Sequence, residues 1–352
     1  MGYIARRAER LVPYAAGEQP KKAGFIKLNT NENPYPPSPA VFAAIGGASK
    51  KLPLYPDADA ENLRRAIAEQ EGVTPECVYC GNGSDEVISL CFYAFFDDRL
   101  PLLFPDVTYS FYPVFAQFYG IPVRQIPLDE DFRIRAEDYL QPAGGVIFPN
   151  PNAPTGIFLE PGEIGRLLQY HSEAVVAVDE AYIAFGGQSM APFVKSCPNL
   201  LVIRTFSKSH ALAGMRVGYA IGQPHLIRAL TNVKDSFNSY PVDRIAAAAA
   251  EAAVCDPAYY AEIDGKIAAT RDRFSARLSG LGFRVLPSKA NFVFASHPGV
   301  PAKELFRALR EKGVLVRYFD RPRIDGFLRI TIGTDKDMDA VAAVLADILG
   351  KE

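Results

Sequence analysis

Cysteine is scarce in this chain, and neither sign of charge dominates it. The five cysteines, Cys77, Cys80, Cys91, Cys197 and Cys255, are an odd number spread through 352 residues. That excludes a small disulfide scaffold and points to reduced thiols in a cytoplasmic setting. Cys77 and Cys80 have CxxC spacing, but no second cysteine pair or nearby histidine completes a zinc set. A redox CxxC should open a helix, whereas Val78-Tyr79 reads as strand, so both cysteines are read as structural. Lys plus Arg total 38 against 40 Asp plus Glu, a net charge of -2. That balance argues against a nucleic-acid partner or an anionic membrane surface. No apolar stretch approaches the roughly 20 residues needed to span a bilayer. The nearest, Ile245 to Cys255, is alanine-rich, broken by Glu251, and reads as a packed helix. The opening MGYIARRAERL has no hydrophobic signal core, and Arg6 stands where a myristoylation signal wants Ser or Thr. Internal repeats and low-complexity linkers are also missing.

What is present is ordinary globular material: 49% hydrophobic and 22% charged residues, in a chain longer than one core usually serves. Residues 1–35 read as an irregular N-terminal arm, ending in LNTNENPYPPSP, whose prolines and asparagines forbid a long element. Residues 36–240 read as a large domain. Leu63, Ala66 and Ile67 share one face of a helix over 59–70, and a helix from Ser84 or Asp85 to Phe96 follows a short strand at 78–80. Strands are expected at 100–104, 122–126, 145–149, 174–178, 200–205 and 217–221, with helices at 108–119, 161–171 and 224–231. Nearly all-apolar strands alternating with helices mean a mainly parallel sheet covered on both faces. Residues 241–352 read as a smaller α+β domain. It has helices at 242–255, 257–280, 301–312 and 335–349, and strands at 283–286, 291–295, 314–318 and 327–332. The arm is expected to pack near it.

An open α/β sheet binds ligands in the loops at the carboxyl ends of its strands, and several such loops are unusual. Gly81-Asn82-Gly83-Ser84-Asp85-Glu86 could present helix N–H groups to an anion, or be a turn capped by Ser84 or Asp85. PNPNAPTG, residues 149–156, is stiffened by three prolines and a glycine, for ligand positioning or simply as a turn. Asp179, directly after a buried strand, wants a cationic partner, which could be a protonated ring nitrogen or a core salt bridge. Lys208 lies between apolar runs at 200–203 and 217–221, with Ser207 and Arg216 nearby as possible phosphate holders. A lysine in a dry site loses proton affinity, and its free amine can condense with a carbonyl. Alone, each motif also fits a solvated loop or cap. Together they are the parts that pyridoxal 5′-phosphate demands.

In the order GNGSDE, PNAPTG, DEAY and SKSHALAGMRVGY, the chain resembles the fold-type-I aminotransferases. Its LNTNENPYPP and FLRITIGT segments resemble the histidinol-phosphate aminotransferases among them, across nearly the whole length. The resemblance implies an α/β fold with a large cofactor domain and a smaller α+β domain. It also implies transamination between histidinol phosphate and 2-oxoglutarate, in histidine biosynthesis. Lys208 would hold the cofactor as a Schiff base and later shuttle a proton. Asp179 would pair with the pyridinium nitrogen, Tyr182 would hydrogen-bond the ring 3′-oxygen, and Tyr109 would stack on the ring. Ser84 and Asp85, with Thr205, Ser207 and Arg216, would hold the phosphate. Tyr55 would reach the phosphate in a neighbouring subunit, implying a homodimer. Arg329 would grip the substrate α-carboxylate or its equivalent as a bidentate fork. Asn31 and its arm would close over the substrate, while Tyr14 and Arg317 would take the substrate's own phosphate. The chain departs from the family at Ala153, where asparagine usually precedes Pro-Thr-Gly, and Asn152 is expected to substitute.

Rival readings keep the scaffold and change the chemistry: an aromatic-amino-acid aminotransferase, or a lyase resembling threonine-phosphate decarboxylases. A cofactor-free binding protein is a further class, which intact Lys208 and Asp179 oppose. A substrate phosphate needs extra cations, and Arg317, Arg321 and Arg323 form a sequence cluster that could supply them or could be a solvated loop.

Overall fold

The computed structural model describes residues 3–14, 17–20 and 24–350. Met1 and Gly2, where the signal and myristoylation readings begin, lie outside them. Strands, in chain order, are β1 (Ile26–Lys27), β2 (Val78–Gly81), β3 (Leu102–Pro105), β4 (Val123–Ile126), β5 (Gly145–Pro149), β6 (Val175–Asp179) and β7 (Leu200–Thr205). They continue with β8 (Gly218–Gly222), β9 (Arg284–Val285), β10 (Phe292–Ser296), β11 (Val314–Leu315), β12 (Arg317–Tyr318) and β13 (Leu328–Thr331).

The main sheet has the order β2-β8-β7-β6-β5-β3-β4. Pairings from β4 through β7 are parallel, and only β8 runs against its neighbours β7 and β2. Both faces are covered, as the apolar strands require. On β7, Leu200 and Val202 enter the core on one face, while Leu201 and Ile203 enter the core on the other. Side chains of period two make that split unavoidable once helices lie on each side. No helix among the described residues is long and apolar enough to cross a membrane.

A second sheet, β12-β13-β10-β9, is antiparallel and packs under the helices Pro257–Gly280, Ala302–Glu311 and Asp335–Ile348. The single strand expected over 314–318 is in fact two. β11 pairs in parallel with β1 of the N-terminal segment, and β12 pairs with β13 in the other sheet. The helix Pro39–Ala48 was not legible in the sequence. Only Val41 on it is buried and it ends in Gly46-Gly47-Ala48, so its apolar period is weak. It is held instead by packing on the helix Arg244–Val254.

Candidate active site

The parallel strands β5, β6 and β7 end beside one another. Pro149 is level with Asp179, and Asp179 with Ile203, two residues before Thr205. Their carboxyl ends floor a cavity of about 400 Å³. Lys208, Asp179, Tyr182, Ser84, Asp85, Tyr109, Thr205, Ser207, Arg216, Arg329, Asn31, Tyr14 and Arg317 all line it. Residues up to 315 positions apart in sequence (14 to 329) are thus brought to one place.

Lys208 sits on the loop after β7, with its Nζ 3.3 Å from the carbonyl oxygen of Thr30 and 5.9 Å from the centre of the Tyr182 ring. No carboxylate forms an ion pair with it among the described residues. Burial lowers its pKa to about 8, helped by the cations Arg329 and Arg216 and opposed by Asp85 and Glu32. The amine is therefore deprotonated in part near neutrality, as a nucleophile needs to be. Asn33 braces the same loop, donating from Nδ2 to the carbonyls of Lys208 and Ser209.

Asp179 is buried at the end of β6, accepting from the Ala181 N–H at 3.1 Å and the Tyr112 hydroxyl at 3.2 Å. Burial pushes its carboxyl up to about 7 despite those bonds. The neighbouring Glu180 has a different task. It is ion-paired with Arg204 at 3.0 Å and accepts from Ser189 and the Met190 N–H, which fixes the turn that aims Asp179 and Tyr182. Asp179 has no such cation among the described residues. A buried carboxylate without a counter-charge is costly, so the site calls for a cation from outside the chain.

One corner of the cavity is built from the start of the helix Gly83–Phe95. Its N-cap is Asn82, whose side chain makes no capping bond. Ser84 and Asp85 lie inside the first turn, so neither is the cap that the sequence allowed. Asp85 binds the Tyr109 hydroxyl at 2.7 Å and the Arg216 guanidinium at 3.2 Å. Thr205 and Ser207 hydrogen-bond each other across the corner, 3.0 Å apart. Glycine is obligatory where β8 passes the helix start. A Cβ on Gly218 would stand 2.3 Å from the Ser84 nitrogen and 2.5 Å from the Gly83 carbonyl carbon. Gly218→Ala is expected to lower the unfolding free energy by about 1–3 kcal/mol and to weaken cofactor retention. Thermal melts with and without added cofactor check this, and an unchanged cofactor-dependent increment would contradict it.

The opposite wall comes from the N-terminal segment and the second sheet. Arg329 on β13 donates from Nη2 to the Asn29 carbonyl at 2.9 Å, while its buried Nε has no hydrogen-bond partner among the described residues. Phe292 and Phe319 flank its guanidinium at 5.4 and 5.6 Å. Arg317 on β12 lies over Phe319 at 5.5 Å, and the Tyr14 ring stacks on Phe111 at 4.3 Å. Asn31 is buried, and its amide is engaged by Tyr182 and Thr331.

Some sequence expectations need correction. Asn152 does not reach the cavity. Its Nδ2 is spent on the Val107 carbonyl and Thr155 Oγ1, and Ala153 lines the cavity instead. Asn152 therefore does not take over the missing contact. The arginine cluster also disperses. Arg323 is ion-paired with Asp106 at 2.6 Å and bonded to the carbonyls of Leu128 and Asp129, and only Arg317 of the three lines the cavity. Tyr55 lies outside this chain's cavity, 79% exposed and stacked on Tyr240 at 4.9 Å. The sequence reading overlooked Tyr112, Asn33 and Arg204. The last was visible as a lone charge inside the run LLVIRT.

The model of the aminotransferase class I and II family matches residues 23–345. The chain belongs to that family. It is 56% identical over 337 residues to histidinol-phosphate aminotransferase 2 of Thiobacillus denitrificans, covering 95% of this chain and 94% of that one. It is 53% identical to the histidinol-phosphate aminotransferase of Aromatoleum aromaticum, covering 96% and 97%. Among solved structures, the histidinol-phosphate aminotransferase of Clostridium acetobutylicum superposes with a TM-score of 0.86 at 26% identity, covering 92% of this chain and 99% of that one. The Sinorhizobium meliloti enzyme, solved with pyridoxal-5′-phosphate, shares the fold with a TM-score of 0.88 at 24% identity, covering 99% and 98%.

The residues of this aminotransferase fit pyridoxal phosphate. The cavity offers a lysine amine of lowered pKa, a buried carboxylate lacking a cation, and a glycine-walled corner at a helix N-terminus with Arg216 beside it.

Proposed function

We propose that the chain is a pyridoxal-phosphate-dependent aminotransferase that exchanges the amino group of L-histidinol phosphate with 2-oxoglutarate. The products are imidazole acetol phosphate and L-glutamate, and the step belongs to histidine biosynthesis. One observation carries the reading: the amine of Lys208 and the uncompensated carboxylate of Asp179 line one cavity together with Arg329 and Arg317.

When bound, the cofactor supplies an aldehyde for the lysine and a conjugated ring that takes up the electrons of a substrate C–H bond. Each protein group then has a task. Asp179 keeps the ring nitrogen protonated, since a nearby carboxylate favours the charged form. Lys208, as free amine, would take the proton from the substrate Cα and deliver it to C4′ of the cofactor, two bonds away across the nitrogen. Arg216, Ser84, Thr205 and Ser207 hold the cofactor phosphate, and Tyr109 packs on the ring. Arg329 orients the substrate's anionic end, which is a carboxylate in glutamate and a phosphate ester in histidinol phosphate. Arg317 and Tyr14 border the same end. Half-reaction spectroscopy with histidinol phosphate, phenylalanine and threonine phosphate tests the assignment. Histidinol phosphate should convert the cofactor fastest, and faster conversion by either alternative would refute the substrate.

The working unit we infer is a homodimer, supported by the exposure of Leu52, Leu54 and Tyr55 in one short segment. A cytoplasmic home accords with the free state of all the cysteines. Mixing Lys208→Ala and Tyr55→Ala subunits should restore activity that neither homodimer has, through hybrids with one intact site. Absence of complementation would show that Tyr55 serves its own chain or none.

A further inference from the structure

Asn31 stands in a strained position for its place in the chain. It adopts a left-handed backbone, φ 55°, in the middle of the N-terminal segment, and is 1% exposed. Asparagine tolerates this conformation better than most residues, but the fold spends further bonds to keep it there. The backbone N–H of Asn31 donates to Thr331 Oγ1 at 3.0 Å, and its carbonyl accepts from Asn291 Nδ2 at 3.1 Å. Its side-chain Oδ1 accepts from the Thr331 hydroxyl at 3.0 Å. With the oxygen end occupied, the amide nitrogen faces Tyr182 and donates to its hydroxyl at 2.9 Å.

The consequence is directional. A phenol that accepts at its oxygen still has its own hydrogen to place. Among the described residues, the Tyr182 hydroxyl donates to no protein acceptor. Tyr182 lines the cavity, so that hydrogen is available to a group bound there. On the same flank Ala153 packs in one cluster with Tyr182 and offers no polar side-chain atom. The amide nitrogen of Asn152, next to Ala153, is spent on the Val107 carbonyl and Thr155 Oγ1.

We propose that Asn31 is a positioning residue for Tyr182: its amide, locked by Thr331, turns the tyrosine hydroxyl into an obligate donor toward the cofactor's ring oxygen, a task Ala153 cannot share. This rests on the cofactor assignment above. Asn31 lines the cavity as well, and this role is separate from the expectation that its arm closes over the substrate.

The proposal has a signature that packing alone would not give. While the lysine–cofactor nitrogen holds its proton, the ring oxygen's charge is shared with that proton. Once the proton leaves, the oxygen depends on the donor from Tyr182. A well-aimed donor therefore lowers the pH at which the proton leaves, and losing it raises that pH. The charged groups facing Tyr182 are Arg329, Asp179, Asp85 and Lys208, and none of them is altered by substitution at 31.

The test is a pH titration of the cofactor's visible absorbance in the holoenzyme. Asn31→Ala should raise the midpoint by about one unit, the size of a hydrogen bond to a charged oxygen. Thr331→Val, which frees the amide to rotate without removing it, should raise it by less. In a Tyr182→Phe background, Asn31→Ala should add less than about a third of a unit, because the path through the hydroxyl is already gone. An unshifted midpoint in both single variants would overturn the proposal, as would a full shift persisting in the Tyr182→Phe background. A protein that binds no cofactor even when unsubstituted would remove the underlying reading and this proposal with it.

Discussion

Lys208→Ala is expected to lower turnover about 10⁴-fold or more while leaving the protein able to bind its cofactor. The loss would combine the two functions proposed for one amine: covalent attachment and proton transfer, the second alone contributing about 10²–10⁴-fold in enzymes generally. The corner proposed for the phosphate, built from the start of the helix Gly83–Phe95, Arg216 and the Thr205–Ser207 pair, does not involve the amine. Equilibrium dialysis should therefore still detect binding, without the visible band of a lysine adduct. The lowered pKa of about 8 adds a sign to check. The free amine exists above the pKa, so attachment of the cofactor to apoenzyme should accelerate as pH rises through about 8, well before the usual lysine range. A rate that rises only above pH 10 would mean that the cavity does not dry the amine.

Asp179→Asn should be the second large loss. It keeps the shape and removes the charge proposed to hold a proton on the ring nitrogen. A carboxylate that shifts that nitrogen by one to two units contributes about 10- to 100-fold to any step needing the protonated ring, and kcat should fall by at least that factor. The apoenzyme offers an independent readout. Burial raises the carboxyl of Asp179 from 3.8 to about 7, so the folded chain holds a proton that the unfolded chain has released between those values. The stability from Asp179 is thus full below about pH 4 and is lost as pH rises through 7. Asp179→Asn should flatten the decline in apoprotein stability over that window. An unchanged slope would place the charge of Asp179 outside the buried environment described here.

Legibility in the sequence followed periodicity and composition. The main sheet was readable because strands such as LLVIRT and VVAVD are apolar on both faces, which only a covered parallel sheet tolerates. The site was readable where rare residue types stand at strand ends: Asp179 after β6, Lys208 after β7, and the glycines before Ser84. What was hidden depends on contacts between distant segments. The helix Pro39–Ala48 has almost no apolar period and is defined by its neighbour. The split of the expected 314–318 strand follows from its pairing with Ile26–Lys27, nearly 300 residues away. Asn152 and Ala153 differ by one step along a loop, and only the fold reveals which faces the cavity. The role of Asn31 needed Thr331 and Tyr182 in place before it had any meaning.

Borohydride reduction of the holoenzyme, followed by peptide mapping, tests the central claim most directly. A reduced pyridoxyl group on the peptide carrying Lys208, and on no other, is the predicted result. A label on a different lysine, or none at all, would contradict the account.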